Sequence, residues 1–299
     1  MIETFGIFIA LAFSFFPTQA PIIEPAKSEP QISIPRISLD DSYTAQSVLL
    51  FNFNTNARIV EHSQNKVLPI ASITKIMTGY LALTNLLPES KIQMSIESIE
   101  TAGAIGHFKS GEIFSFNDLL EAMMTASSND AAMAFAERVG TMRGGKSFDE
   151  SIQIFVDLMN ETAKNLGMYN THFINPTGLD TLEHTPSNYS TAEDLSLLLK
   201  ATRKDTPTIW ELSRSTDKTI YSDRKIRHDF FNINTLAPRI LHFIGGKTGS
   251  TDTARESVIE LFEAPFGTEY GLVLLGADPE GKRFEEALRI INQLSPVLP

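Results

Sequence analysis

Apolar and polar positions along the chain change period twice. "QSVLLFNFNTNARIVEHSQNK" predicts two strands, near 47–53 and 57–62, around an Asn/Thr turn. "ASITKIMT", residues 71 to 78, then opens an apolar helix at Ser72. "SFNDLLEAMMTA" begins with a capping box from Ser115 to Asp118 and continues as a helical stripe. "NDAAMAFAERVG" reads as alanine-rich helix to Gly140, and Phe155, Leu158, Met159, Thr162 and Leu166 recur at helical spacing between Asp149 and Gly167. Ser190 with Glu193, or Thr191 with Asp194, starts a further helix over "LSLLLKAT". After a polar, strand-like stretch around 214–230, "LHFIGGKTGS", "RESVIELFEA" and "YGLVLLGA" read as three strands and "FEEALRIINQL" as a closing helix. Two strands, a helical middle and three strands predict an α/β (α+β) protein with one antiparallel five-stranded sheet assembled from both ends of the chain. The boundaries expected are a sheet lobe over about 43–90 and 210–295 and a mostly helical lobe over about 91–209.

The first 20 residues break this pattern. Phe5 to Phe16 form an apolar run shorter than the roughly 20 residues of a membrane span. With Thr18 and Ala20 before Pro21 they predict a secretory signal or an N-terminal anchor over 1–20, and so an extracytoplasmic, periplasmic or secreted protein. "PIIEPAKSEPQISIPRISLDD" is proline-rich and aperiodic, a linker over 21–42 before a folded domain at 43–295. The formal charge of -11 opposes binding to nucleic acid or to an anionic membrane, while leaving room for a local basic pocket. The chain has no cysteine, which excludes disulfides and thiol chemistry. Histidines 62, 107, 172, 184, 228 and 242 lack metal-ligand spacing, so no metal or other cofactor is expected.

Three polar groups remain. Ser72 and Lys75 lie one turn apart, about 5–6 Å at Cβ on a helix, where an amine can take the proton of an attacking hydroxyl; the plain alternative is a lysine facing water. Ser127 and Asn129, in "TASSND" between two helices, are either helix caps or groups facing a cleft. In "GGKTGS", Lys247 stands among Gly245, Gly246 and Gly249. An edge-protecting lysine explains the lysine but not the glycines, which mark close approach by a ligand or a second backbone.

In order, "SITK" at 72–75, "SSN" at 127–129 and "KTG" at 247–249 resemble the three motifs of penicillin-binding enzymes and serine β-lactamases. "LPIASITKIMT", "GEIFSFNDLLEAMMTASSNDAA", "NLGMYNTHFINPTGLD", "FFNINTL" and "GGKTGST" are similar to the low-molecular-weight D-Ala-D-Ala carboxypeptidases of serine peptidase family S11, over about residues 45 to 290. The resemblance implies the penicillin-binding/β-lactamase-like transpeptidase fold. It implies Ser72 as nucleophile, Lys75 as base, Ser127 as proton relay to the leaving D-alanine and Asn129 as the amide positioning Lys75. It further implies Lys247 and Thr248 on the substrate carboxylate, with Gly249 and Ser250 beside them, and an oxyanion hole from the N–H groups of Ser72 and Ser250. The implied partners are peptidoglycan stem peptides ending in D-Ala-D-Ala, with covalent inhibition by β-lactams.

Two departures stand out: Asn56-Ala57 and Arg255 occupy places where the family usually has glycine. The family's β-rich C-terminal domain and terminal anchor are not expected here, which leaves membrane contact to the N-terminus. Carboxypeptidase is the expected activity. The alternatives are a D,D-endopeptidase with the same motifs, a β-lactamase using Glu183 or Glu193 as deacylating base, and a non-catalytic wall-binding protein.

Overall fold

The computed structural model describes residues 37–180, 188–264, 267–279 and 281–294. The expected export segment, linker residues 21–36, Glu183 and His184 lie outside the described residues.

The first hairpin pairs β1 (Ser47–Asn52) with β2 (Arg58–His62). Its turn is held by Asn52 Oδ1, which accepts from the N–H groups of Asn54 and Thr55 at 2.8 and 2.9 Å. Asn56 takes φ 60°, a left-handed conformation that asparagine tolerates better than most residues, so the family glycine is dispensable there. After β3 (Leu68–Pro69), residues Ala71–Thr74 form a 3-10 turn and α1 runs Lys75–Asn85. Ser72 therefore sits in a tight turn ahead of the helix rather than on it. In such a turn residues i and i+3 eclipse, which aligns Ser72 with Lys75 more closely than an α-helix would.

The middle of the chain follows as β4 (Lys91–Gln93), α2 (Ile96–Ile99), β5 (Ile113–Ser115), α3 (Phe116–Thr125), α4 (Asn129–Met142) and α5 (Phe148–Asn165). Ser115, Ser128 and Ser147 each accept the N–H three residues on, caps worth about 1 kcal/mol apiece. β6 (Tyr189–Ser190) pairs with β3, and α6 (Ala192–Asp205) is capped by Thr191 on Asp194, the second of the two expected starts. α7 (Thr208–Ser213) was not expected, being six residues long and too short to show a period.

The polar stretch forms its own hairpin, β7 (Asp217–Tyr221) with β8 (Arg227–Phe231). β9 (Phe243–Thr251), β10 (Arg255–Ala264), β11 (Thr268–Ala277) and α8 (Lys282–Asn292) complete the chain. The main sheet is antiparallel, in the order β2-β1-β11-β10-β9.

Both faces of this sheet are covered, which explains why its central strands read as unbroken apolar runs. Leu49, Phe51, Ile259, Leu261, Val273 and Leu275 face the helices of the middle segment. Val48, Leu50, Val258, Phe262, Leu272 and Leu274 pack with Ala287 and Ile290 of α8. Full burial of each such side chain contributes roughly 1.5–3 kcal/mol. α6, expected in the helical lobe, packs instead on β1 and β11. Ile37 and Leu39, expected as linker, lie against the α8-side core, and Ile37 N–H donates to Ile59 O at 2.8 Å. Buried Glu286 ties the same end down, accepting from Thr44 N–H and Oγ1 at 2.7 and 2.6 Å.

Candidate active site

The 3-10 turn, the α3–α4 junction and edge strand β9 converge on one cleft of about 330 Å³, lined by Ser72, Ser127, Thr248, Gly249, Ser250 and Arg283 and rimmed by Ile105 and Ile233. A larger hollow of about 500 Å³ lies between β4 and α4, but its Lys91 makes no hydrogen bond to the hydroxyls of Ser95, Ser110 or Thr141, so chemistry rather than volume picks the site.

Lys75 is fully buried, and its Nζ has three oxygens in reach. Ser72 Oγ stands at 2.8 Å, Asn129 Oδ1 at 2.7 Å and the Thr177 carbonyl at 2.8 Å. Burial holds the Lys75 amine well below the ordinary lysine range. The nearby Lys247 charge pushes the same way, against weaker opposition from Asp130. A neutral amine has two N–H groups and one lone pair. The carboxamide oxygen and the carbonyl can only accept, so they take both N–H groups. In that neutral form the lone pair would be left to accept the Ser72 hydroxyl proton, the polarity an activated nucleophile requires.

The α3–α4 junction resolves the capping question in favour of a third residue. Ser128, not Ser127 or Asn129, caps α4. Ser127 is held at φ 61°, a strained conformation for serine, and its Oγ accepts from Lys247 Nζ at 2.9 Å. Asn129 accepts from Lys75 through Oδ1 and donates from Nδ2 to Ala102 O and Gly103 O at 3.0 and 3.3 Å.

On β9 the glycines permit close approach of other elements. A methyl on Gly249 would lie 2.9 Å from Ile70 O and 3.2 Å from Ile73 N, and one on Gly245 would lie 2.5 Å from Trp210 O. The same face of the edge strand is thereby pressed against α7 at Gly245 and the 3-10 turn at Gly249. Lys247 is 1% exposed, so it does not serve as a solvated edge charge. Burial, then the Arg283 charge, lowers its pKa to about 7.

Several groups were invisible to sequence reasoning. Thr177 acts through its backbone carbonyl, which no side-chain pattern reveals. Arg283 enters from the start of α8 and donates to Gly249 O at 3.4 Å. Arg255 has φ 56°, which accounts for the family's glycine preference, and its side chain pairs with Asp278 rather than lining the cleft. Glu193 pairs with Arg58 of β2, which leaves it no role as a deacylating base. His172 bridges to Tyr189, and no group of three His, Asp or Glu among the described residues is arranged to hold a metal.

The profile of the S11 peptidases, described as D-alanyl-D-alanine carboxypeptidase, matches residues 35–275. A D-alanyl-D-alanine endopeptidase of Escherichia coli K12 is 30% identical over 264 residues, covering 86% of this chain and 77% of that protein. A D-alanyl-D-alanine carboxypeptidase of Streptomyces sp. K15 is 30% identical over 233 residues, covering 74% and 77%. Among solved structures, penicillin-binding protein D2 of Listeria monocytogenes in its ampicillin-bound form superposes with a TM-score of 0.70 at 27% identity, covering 86% of this chain and 98% of that one.

Proposed function

The chain belongs to the S11 family of serine peptidases, the D-alanyl-D-alanine carboxypeptidases, and from that premise we propose that Ser72 is its nucleophile and Lys75 its base. The activity is that of a serine-type DD-peptidase working through an acyl-enzyme. The observation that carries the residue assignment is the buried Lys75 amine, its pKa held down by burial, with Ser72 Oγ at 2.8 Å and Asn129 Oδ1 and the Thr177 carbonyl at 2.7 and 2.8 Å.

In the proposed cycle the Ser72 hydroxyl attacks the carbonyl between two D-alanines while Lys75 accepts its proton. The oxyanion gathers at the N–H groups of Ser72 and Ser250, a contribution whose loss typically costs about 10²–10³ in kcat per donor. Ser127, bridged to Lys247, relays the proton taken up by Lys75 to the departing D-alanine amine, which leaves Lys75 neutral again. Lys247 and Thr248 receive the substrate carboxylate, with Gly249 allowing the close approach. Water then hydrolyses the ester. Nothing in this sequence needs a metal or a cofactor.

The substrate is a peptidoglycan stem ending in D-Ala-D-Ala, cleaved outside the cytoplasm; the N-terminal apolar run supports that placement, and no helix among the described residues is long and apolar enough to cross a membrane. A second reading, cleavage of D-Ala cross-links, is favoured by the endopeptidase names of the E. coli relative and of one from Pseudomonas aeruginosa.

Intact-mass analysis with a labelled penicillin tests the nucleophile: one adduct in the wild type and none in S72A is expected, and an adduct elsewhere overturns the assignment. Release of free D-alanine from a pentapeptide, beside cleavage of a cross-linked dimer, separates the two substrates.

A further inference from the structure

The Lys75 amine is held from two sides. Asn129 holds it from the α3–α4 junction, and the Thr177 carbonyl, at 2.8 Å, holds it from the loop between α5 and β6. What fixes that carbonyl is a second carboxamide. Asn188, just ahead of β6, is 1% exposed and lies outside the cleft lining.

All four hydrogen-bonding positions of the Asn188 side chain are filled. Oδ1 accepts from the Ile174 and Asn175 N–H groups at 2.7 and 3.3 Å. Nδ2 donates to Asn175 O at 2.8 Å and to Thr74 Oγ1 at 2.9 Å. Turned over, the group would set its oxygen against the Asn175 carbonyl and its NH2 against two N–H groups, so one orientation alone satisfies the site. The Asn188 main chain is engaged separately, its carbonyl accepting from Ile70 N–H at 3.2 Å beside the β3–β6 pair.

Asn175, gripped at both its N–H and its carbonyl, passes the constraint on. Its Oδ1 accepts from Thr177 N–H at 3.1 Å, Thr177 Oγ1 at 3.0 Å and Gly178 N–H at 2.7 Å. A side-chain oxygen that accepts from the backbone two and three residues on closes the turn around the Thr177 peptide. Thr78 of α1 adds a bond from Oγ1 to Pro176 O at 2.7 Å. A methyl on Gly178 would lie 1.9 Å from Ala71 O, so the loop is seated directly on the 3-10 turn that carries Ser72.

We propose that Asn188 is a positioning residue for Lys75: its carboxamide ties the 174–178 loop to Thr74 and so sets the Thr177 carbonyl where it keeps the Lys75 amine on Ser72. The proposal rests on the reading of Ser72 and Lys75 as nucleophile and base. Without the carboxamide, Thr177 O is free to withdraw, Nζ loses a fixed acceptor, and the 2.8 Å contact between Ser72 and Lys75 lengthens. Acylation slows. Ligand binding on β9 is spared, because Asn188 makes no hydrogen bond to that strand and its main-chain bond to Ile70 survives substitution.

Four substitutions separate positioning from space-filling. N188L keeps the volume and removes all four side-chain bonds. N188D keeps the shape but sets a carboxylate oxygen against the Asn175 carbonyl. T74V removes the hydroxyl that Nδ2 meets without changing the shape of the side chain, and T74S keeps that hydroxyl.

The experiment mixes the full chain with a series of penicillin concentrations and follows the Ser72 adduct by intact mass. The time courses give a limiting acylation rate and a half-saturating concentration, with folding checked by circular dichroism. Expected is a limiting rate lower by roughly tenfold to a hundredfold in N188L and N188D, as for a small misplacement of a catalytic group, with the half-saturating concentration little changed. T74V should lose a smaller factor and T74S should match the wild type. A wild-type limiting rate in folded N188L, equal rates in T74V and T74S, or a loss confined to the half-saturating concentration overturns the positioning role. If N188L does not fold, the T74V and T74S pair decides. Failure of the wild type to form an adduct at Ser72 would instead overturn the reading of Ser72 and Lys75.

Discussion

Replacing Lys247 by methionine should abolish carboxylate recognition and, at neutral pH, make the protein more stable. The lysine is fully buried with a pKa of about 7, against 10.5 for the unperturbed side chain. At about 1.36 kcal/mol per unit, that shift corresponds to roughly 5 kcal/mol of folding free energy opposed by the amine. The sign follows from proton counts. In the unfolded chain Lys247 is protonated below 10.5; in the fold it is protonated only below about 7. Between those values the unfolded state binds more protons, so stability rises with pH, and the destabilisation is fully present below about 7. Methionine has similar volume and no charge. It loses the two hydrogen bonds to Ser127 Oγ and Thr248 O, both 2.9 Å, worth about 1 kcal/mol each. K247M should therefore be more stable by about 3 kcal/mol at pH 7, or roughly 6–12 °C in Tm for a domain of this size. Near pH 10.5 the amine is neutral in the fold and half-protonated in the unfolded chain, so little of the destabilisation remains, and the variant should be less stable by about 1–2 kcal/mol. Urea unfolding of both proteins at the two pH values reads this directly. A difference that does not change sign with pH would show that the lysine is hydrated in the fold, and would remove the burial argument for Lys75 as well.

Two further outcomes follow from the same groups. For a free-acid peptide, kcat/KM should fall about tenfold between pH 6 and pH 8 as Lys247 loses its proton, while a C-terminally amidated peptide reacts slowly with no such limb; equal profiles would take Lys247 out of carboxylate recognition. Glu260, buried on β10 with Asn234 Nδ2 at 3.0 Å, has a pKa raised well above the carboxylate range by burial, so stability is lost as pH rises past its unfolded value. E260Q should raise Tm at about pH 8 and leave it nearly unchanged at about pH 4.5, and a lower Tm at the higher pH would mean that Glu260 is ionised in the fold.

The residues proposed to do the chemistry were legible because their signals are short. Capping at Ser115 and Thr191, the turn at Asn52 to Asn56 and the apolar runs of β1, β10 and β11 are set by atoms within about one turn or a few residues, where pattern and outcome are nearly the same thing. The order of the "SITK", "SSN" and "KTG" motifs carried the family, and the two strand groups carried the sheet. What the side chains would be was decided elsewhere. Ser127 faces the cleft and Asn129 reaches Lys75 because Ser128 takes the cap between them, a choice among three neighbours that local preference leaves open. Lys75 is suited to the proposed role of base only because Thr177 and Asn129, far away in the chain, accept from its amine and the core removes its water. Lys247 meets Ser127 across the cleft and Arg283 from the last helix for the same reason. Protonation depends on desolvation and on charges a few ångströms away in space. Those neighbours are brought together by burial of both faces of the sheet, which no local stretch of sequence encodes.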